Sequence, residues 1–294
     1  MAKKTNGSIK AQRFTMDVVV HSILIIMGVI WVLPFLYLIV QSFRGGSNQG
    51  MFTQTFLPTE WTFNAFKKLF TETTQINFPQ MFMNTFKIAC CSCVISTFFV
   101  LAVSYCLSRV KWKLRKTYMN MAMVITLFPG FMAMTAVYIL LKTLFGLNEH
   151  PERIPLALII NYSAGSGVGF HVMKGYMDTI PKALDEAAYL DGATKWQTFI
   201  KITLPLCKPM IVYQVITSFM GPWCDFILAK LICRTTQQHY TVSIGLYTML
   251  NMERVSTWFT RFCAGAVLVA IPISILFIIT QKFYQEAMGG AVKG

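Results

Sequence analysis

The chain has 294 residues, 55% of them apolar and only 13% charged, with a formal net charge of +14. Soluble domains carry about 25% charged residues, so this composition excludes an ordinary water-soluble core and favours apolar runs that cross a bilayer. The positive excess forms no basic face interleaved with aromatics, which argues against nucleic acid as a partner; much of it falls in the breaks between apolar runs, as topology markers do.

Six spanning helices are predicted, at about 18–43, 85–107, 119–142, 154–175, 207–231 and 262–284. No Asp, Glu, Lys or Arg lies between Asp17 and Arg44, Lys87 and Arg109, Lys116 and Lys142, Arg153 and Lys174, or Arg261 and Lys282. About 20 mostly apolar residues suffice to cross. The fifth run is the least clean, because it holds Pro209, Pro222 and Asp225. Residues 1–17 read as a tail. The first run is longer than a signal core and no small-x-small site follows it, so it is expected to remain as a membrane helix.

The segment 44–82 is too long for a turn. Its "TEWTFNAFKKLF" sets Trp61, Phe63, Phe66 and Phe70 near one helical face, which predicts a short amphipathic helix at the membrane surface. In the second run, Cys90, Cys91 and Cys93 lack His or carboxylate companions and read as small packing residues rather than a metal site. Asn161, Tyr162 and Ser163 in the fourth run are candidate substrate-path residues, since aromatics cover sugar faces and amides bind hydroxyls; helix packing is the competing role. Asp225, near the end of the fifth run, reads as a helix-end residue or a functional membrane carboxylate. The segment 232–261 is rich in Thr, Gln and aromatics. It is either a solvated loop or a surface for an external partner, with Thr235, Thr236, Gln237, Gln238 and His239 as candidate contacts.

With the N-terminus inside, sixteen of the 26 Lys and Arg residues fall on the inner side, and "RVKWKLRK" at 109–116 is the densest cluster. Both termini are therefore predicted to be cytoplasmic. This puts the stretch 178–206 inside as well. Asp178 or Thr179 can begin a helix there, with Pro181 in its first turn. Leu184, Ala187 and Ala188 then share a face, Glu186 lies at its edge, and Gly192 permits a bend or a close approach. Small residues beside a carboxylate suit either docking into another protein's groove or an ordinary interfacial helix.

"EAAYLDGATKWQTFIKITLPLCKP" resembles the EAA signature of permease subunits from bacterial binding-protein-dependent ABC importers. Glu186, Ala187, Ala188, Gly192, Ile202, Leu204 and Pro205 occupy the pattern, and the Asp191-Gly192-Ala193 filling is similar to the carbohydrate branch. The likeness extends over nearly the whole chain to the smaller maltose-type subunit. At 223–229, however, "WCDFILA" departs from that branch's Trp-Asn-Asp/Glu-Phe and its following Pro.

The resemblance implies an all-α integral membrane protein with six transmembrane helices and the type I ABC importer permease fold. A tail at 1–17, a membrane domain at 18–284 with a coupling loop at 178–206, and a tail at 285–294 would make up the chain. It implies residence in the bacterial cytoplasmic (inner) membrane. The implied partners are a second homologous permease subunit, two cytoplasmic ATPase subunits, an external solute-binding protein and a sugar. ATP and Mg would be bound by the ATPase subunits; this sequence has no GxxxxGK[ST] loop and no cofactor of its own is expected. Gly289, Gly290 and Lys293 in a flexible tail would reach the ATPase. An ion-gradient-driven secondary transporter is the alternative, but the clean spans lack its usual mid-membrane ionisable groups. A membrane enzyme would need a clustered acid, base or nucleophile, and the sequence offers none.

Orientation is checked by labelling single cysteines in a cysteine-free background. Position 113 should react from the cytoplasm and position 237 from outside; the reverse pattern contradicts the orientation.

Overall fold

The computed structural model describes residues 5–46, 55–127, 130–165, 169–251 and 255–291. Among these, the regular structure is helical, with one isolated antiparallel bridge between Arg44 and Trp61. The chain divides into two compact units. One comprises Met1–Thr71 with Met249–Val267, the other Glu72–Thr248 with Leu268–Gly294.

In the first unit, helix α1 (Thr5–Ser42) is apolar and almost wholly exposed over Met16–Ser42. Twenty-seven residues rise about 40 Å, more than a bilayer core of about 30 Å. An exposed apolar rod of this length is stable in lipid and not in water. At its end the buried Arg44 gathers the following segment. Its Nε donates to Gln41 Oε1 at 2.5 Å and its Nη2 to Thr55 O at 2.6 Å, while Gln41 Nε2 donates to Phe56 O at 3.0 Å. The expected amphipathic helix forms as α2 (Asn64–Thr71), with Ala65 and Leu69 turned inward. Trp61 and Phe63 precede it and pack with Phe66 around Phe43.

The second unit is organised by α3 (Phe78–Arg109). Asn77 caps it by accepting from Gln80 N, and Pro79 sits in the first turn where its missing N–H costs nothing. Its buried face carries small residues at helical spacing, Ala89, Ser92, Ser96, Ser104 and Ser108, alternating with larger ones such as Ile88, Val100 and Leu107. Small side chains let backbones approach closely where lipid removes the hydrophobic drive between helices. Against this face pack α6 (Ile154–Ala164), α7 (His171–Thr179) and α11 (Lys208–Cys224). Ser104 Oγ donates to Phe170 O at 3.2 Å, Gln214 Nε2 to Ser96 Oγ at 3.1 Å, and Ser218 Oγ to Cys93 Sγ at 3.4 Å. Cys93 is thus a buried packing residue, as its sequence context suggests.

Among the described residues, three helices are long and apolar enough to cross a membrane: Met16–Ser42, Phe78–Arg109 and Thr257–Phe283, the last within α14 (Val255–Ala291). The other three expected spans are each divided. The run 119–142 is split into α4 (Arg115–Thr126) and α5 (Gly130–Phe145), with Pro129 in the sequence between them. The run 154–175 is split into α6 and α7, separated by "GSGVG". The run 207–231 is split at Asp225, whose extended backbone ends α11 before α12 (Ile227–Cys233) begins. Asp225 Oδ1 accepts from Leu228 N at 3.2 Å, so this carboxylate caps the second half. Prolines, glycines and a capping Asp are the residues that interrupt a helix; hydropathy alone passes over them.

The tail also differs from expectation. It continues as helix α14 to Ala291, so Gly289 and Gly290 lie on a helix, while Lys293 falls outside the described residues.

The small-residue face sets a stability test. Ser104→Leu overpacks a buried helix contact, which costs about 1–3 kcal/mol. It should lower the unfolding temperature of the purified protein, whereas Val94→Leu on the exposed side of the same helix should not.

Candidate functional site

The stretch 178–206 folds differently from the simplest expectation. Asp178 and Thr179 end α7 rather than begin the next helix. Ile180 is extended, as a residue before proline prefers, and α8 (Ala183–Leu190) starts two residues after Pro181. Its end is closed by Ala193 N donating to Ala188 O and by Gly192 at φ +82°. A Cβ on Gly192 would meet nothing of its own chain within 4 Å, so within the chain the glycine serves the bend. Thr194 and Gln197 form a reciprocal capping box on α9 (Lys195–Thr198). A π turn at Phe199–Thr203 and the short α10 (Leu204–Leu206) follow, and the chain then bends 77° into α11.

On α8, Asp185 and Ala188 point inward, while Leu184, Glu186, Ala187, Tyr189 and Leu190 are exposed. Leu190 is 90% exposed and Trp196 on α9 68%. The shared face expected for Ala187 and Ala188 is therefore divided: Ala187 is presented outward, and Ala188, 9% exposed, packs on its own chain. Asp191 and Pro205 are exposed; Ile202 and Leu204 are half-buried.

The inward side of α8 is held by the last residue of α3. Arg109 Nη2 donates to Met177 O and to Ile180 O, both at 2.9 Å, and Nη1 lies 3.3 Å from Asp185 Oδ2. Both side chains are almost fully buried, and Arg109 Nε and Nη1 and Asp185 Oδ1 have no hydrogen-bond partner among the described residues, so the two side chains meet as an ion pair rather than through a hydrogen bond. Beside it, Ser108 Oγ donates to Asp178 Oδ1 at 2.7 Å, and Lys174 Nζ bonds the other carboxylate oxygen. Burial pushes the Asp178 carboxyl upward, but the Lys174 and Ser108 contacts outweigh it and hold it below the usual carboxylate range. Arg109 counts in the sequence as one of many inner-side cations; the acceptors it binds lie about 70 residues further on, beyond the reach of local pattern.

A second feature lies among α3, α6 and α11. A cavity of about 210 Å³ is lined by Ser96, Tyr162, Gln214, Thr217 and Ser218 together with glycines 165, 169 and 221. A neighbouring one of about 190 Å³ shares Gly169, Gln214 and Thr217 with it. Of the three candidate path residues, only Tyr162 lines this space, and its hydroxyl donates to Asp225 Oδ2 at 2.8 Å. Ser163 is buried and donates back to Ile159 O, and Asn161 is half-buried away from the lining. The residues missed carry a visible signal: Gln214, Thr217 and Ser218 form a polar stripe at i, i+3 and i+4 in an apolar run.

The loop after α12 is compact. Gln237–His239 form a 3-10 turn, and Asn84 Nδ2 donates to Gln238 O at 2.8 Å. Lys230 sits 4.2 Å above the Tyr240 ring and donates to its hydroxyl. Thr235, Gln237 and Gln238 are exposed; Thr236 and His239 are half-buried. Partial burial lowers the His239 pKa from its ordinary value, opposed by the charge of Glu152.

Residues 99–289 match the family of binding-protein-dependent transport system inner membrane components. The chain is 33% identical over 290 residues to the galactooligosaccharides transport system permease protein GanQ of Bacillus subtilis, covering 98% of this chain and 99% of that one. It is 34% identical over 292 residues to the maltodextrin transport system permease protein MalD of Streptococcus pneumoniae, covering 98% and 100%. Its fold matches a chain of the crystal structure of a bacterial ABC transporter involved in the import of the acidic polysaccharide alginate. There the TM-score is 0.74 at 19% identity, over 93% of this chain and 98% of that one. The helical fold, the EAA loop and these full-length likenesses converge: the chain belongs to the family of inner membrane permease components of binding-protein-dependent transport systems.

Proposed function

We propose that this permease forms half of the membrane path for an oligosaccharide and is driven through α8 by a separate cytoplasmic ATPase. The observation that carries the reading is the outward face of α8 and α9. Leu184, Ala187, Leu190 and Trp196 are exposed on short helices whose inner side is fixed to the body by a buried arginine. Apolar side chains displayed on a rigid, well-capped corner mark a protein contact. Glu186 beside them is free to take a basic partner residue.

In this arrangement the chain crosses the membrane six times, the divided helices α4–α5, α6–α7 and α11–α12 each making one passage. Both termini and the α7–α9 corner lie in the cytoplasm. A second homologous permease completes the path, two ATPase subunits bind ATP and Mg, and an external binding protein delivers the sugar near the loop at 235–239. The carbohydrate class is supported by the galactooligosaccharide and maltodextrin permeases among the relatives. It is supported too by a cavity lined with hydroxyls, an amide and the Tyr162 ring, groups suited to sugar hydroxyls and sugar faces.

Leu190→Asp and Ala187→Trp test the docking face. Both positions are exposed, so folding should be preserved to within about 0.5 kcal/mol. Co-purification of the ATPase should fall sharply and sugar uptake should be lost while membrane abundance is kept. Full recruitment and uptake in both variants contradict the proposal. Ala188→Trp is the poorer probe, because it overpacks this chain's own interior.

A further inference from the structure

We infer that Arg109 is a positioning residue that makes α8 and α3 move as one body, so that displacement of the ATPase-facing helix reaches the polar cavity. The inference rests on the docking reading of α8 and adds the element that transmits the motion.

The guanidinium sits where three acceptors from two helices and the link between them converge. Met177 O belongs to the last turn of α7, Ile180 O to the extended link, and Asp185 to the first turn of α8. The carboxyl end of a helix carries partial negative charge, so the cation is favoured there independently of Asp185. Nη2 of the flat guanidinium donates to both carbonyls while Nη1 faces the Asp185 carboxylate as an ion pair. A lysine ammonium is a point charge on a flexible stem and cannot reproduce that geometry. Arg109 is also the last residue of α3, so its backbone belongs to a 32-residue helix. The adjacent Ser108 takes hold of Asp178 on the same corner. Two consecutive residues thus fasten α7, its link and α8 at four points.

The other end of the connection is equally direct. Further along α3, Ser96 accepts from Gln214 of α11, and both line the 210 Å³ cavity with Thr217 and Ser218. Ser104 holds the carbonyl of Phe170 at the start of α7. From Asp185 to Gln214 the path runs through a buried ion pair, one continuous helix and the Ser96–Gln214 hydrogen bond, a contiguous network of the kind that carries coupling. A buried ion pair is weak support for stability compared with apolar residues of the same size. Its value here is orientation: it sets the direction of α8 relative to α3.

The test uses the assembled complex in proteoliposomes with the external binding protein and a labelled maltodextrin or galactooligosaccharide. Arg109→Lys and Asp185→Asn are compared with the unaltered chain for ATPase recruitment, ATP hydrolysis, melting temperature and sugar moved per ATP. Recruitment and hydrolysis should persist, because the outward face is untouched. Sugar per ATP should fall by about tenfold in Arg109→Lys, the scale of losing a charge-assisted hydrogen bond, and by less in Asp185→Asn, which keeps both carbonyl contacts. A purely structural role lowers abundance, recruitment and transport together and leaves the ratio unchanged. An unchanged ratio in both variants overturns the inference, as does failure of both to accumulate, which marks Arg109 as a folding determinant. ATPase recruitment that survives Leu190→Asp overturns the docking reading instead, so the two failures are distinguishable.

Discussion

A cation buried at the end of a long helix has few places to go. Arg109 cannot reach water, and its charge is met by the carboxyl end of α7 on one side and Asp185 of α8 on the other. Removing the arginine would leave the Asp185 carboxylate buried and uncompensated, a loss of about 3–5 kcal/mol where such pairs have been broken. The corner is therefore fixed in one orientation, with Asp185 and Ala188 inward and Ala187 and Leu190 outward. The outward face of α8, on which the docking proposal rests, is set by the fastening of its other face.

The same helix that ends in Arg109 organises the second unit. Its small residues allow α6, α7 and α11 to approach closely, and the polar ones among them hold neighbouring backbone and side chains. Around this element, α6–α7 and α11–α12 are divided, with glycines in the sequence between the first pair and Asp225 between the second. An unbroken, packed helix beside divided ones is what the proposed transmission from α8 requires of α3. Tyr162 and Asp225 join α6 to the α11–α12 break by one hydrogen bond beside the polar cavity.

Much of this was legible in the sequence, unevenly. Charge-free runs identified the three long helices, and the EAA pattern led directly to the family, because its spacing is far more specific than any composition. The breaks were written in Pro129, the Gly165–Gly169 stretch and Asp225, yet average hydropathy over 20 residues does not register them. Adjacent alanines at 187 and 188 differ by about 100° around a helix, so pattern alone could not decide which one faces outward. Arg109 was visible only as a topology charge, since its acceptors are distant in the chain. The stripe at Gln214, Thr217 and Ser218 was present but less conspicuous than the aromatic Tyr162 beside two polar neighbours.

Whether α8 and α3 move as one body is read from the distance between them. Spin labels at positions 94 and 187, both exposed, report the separation of the two helices in the assembled complex. The account predicts one distance distribution that is the same without nucleotide and with ATP bound, and a broader one when Arg109 is replaced by lysine. A distribution that shifts between nucleotide states in the unaltered chain would contradict it, because α8 would then be moving on its own.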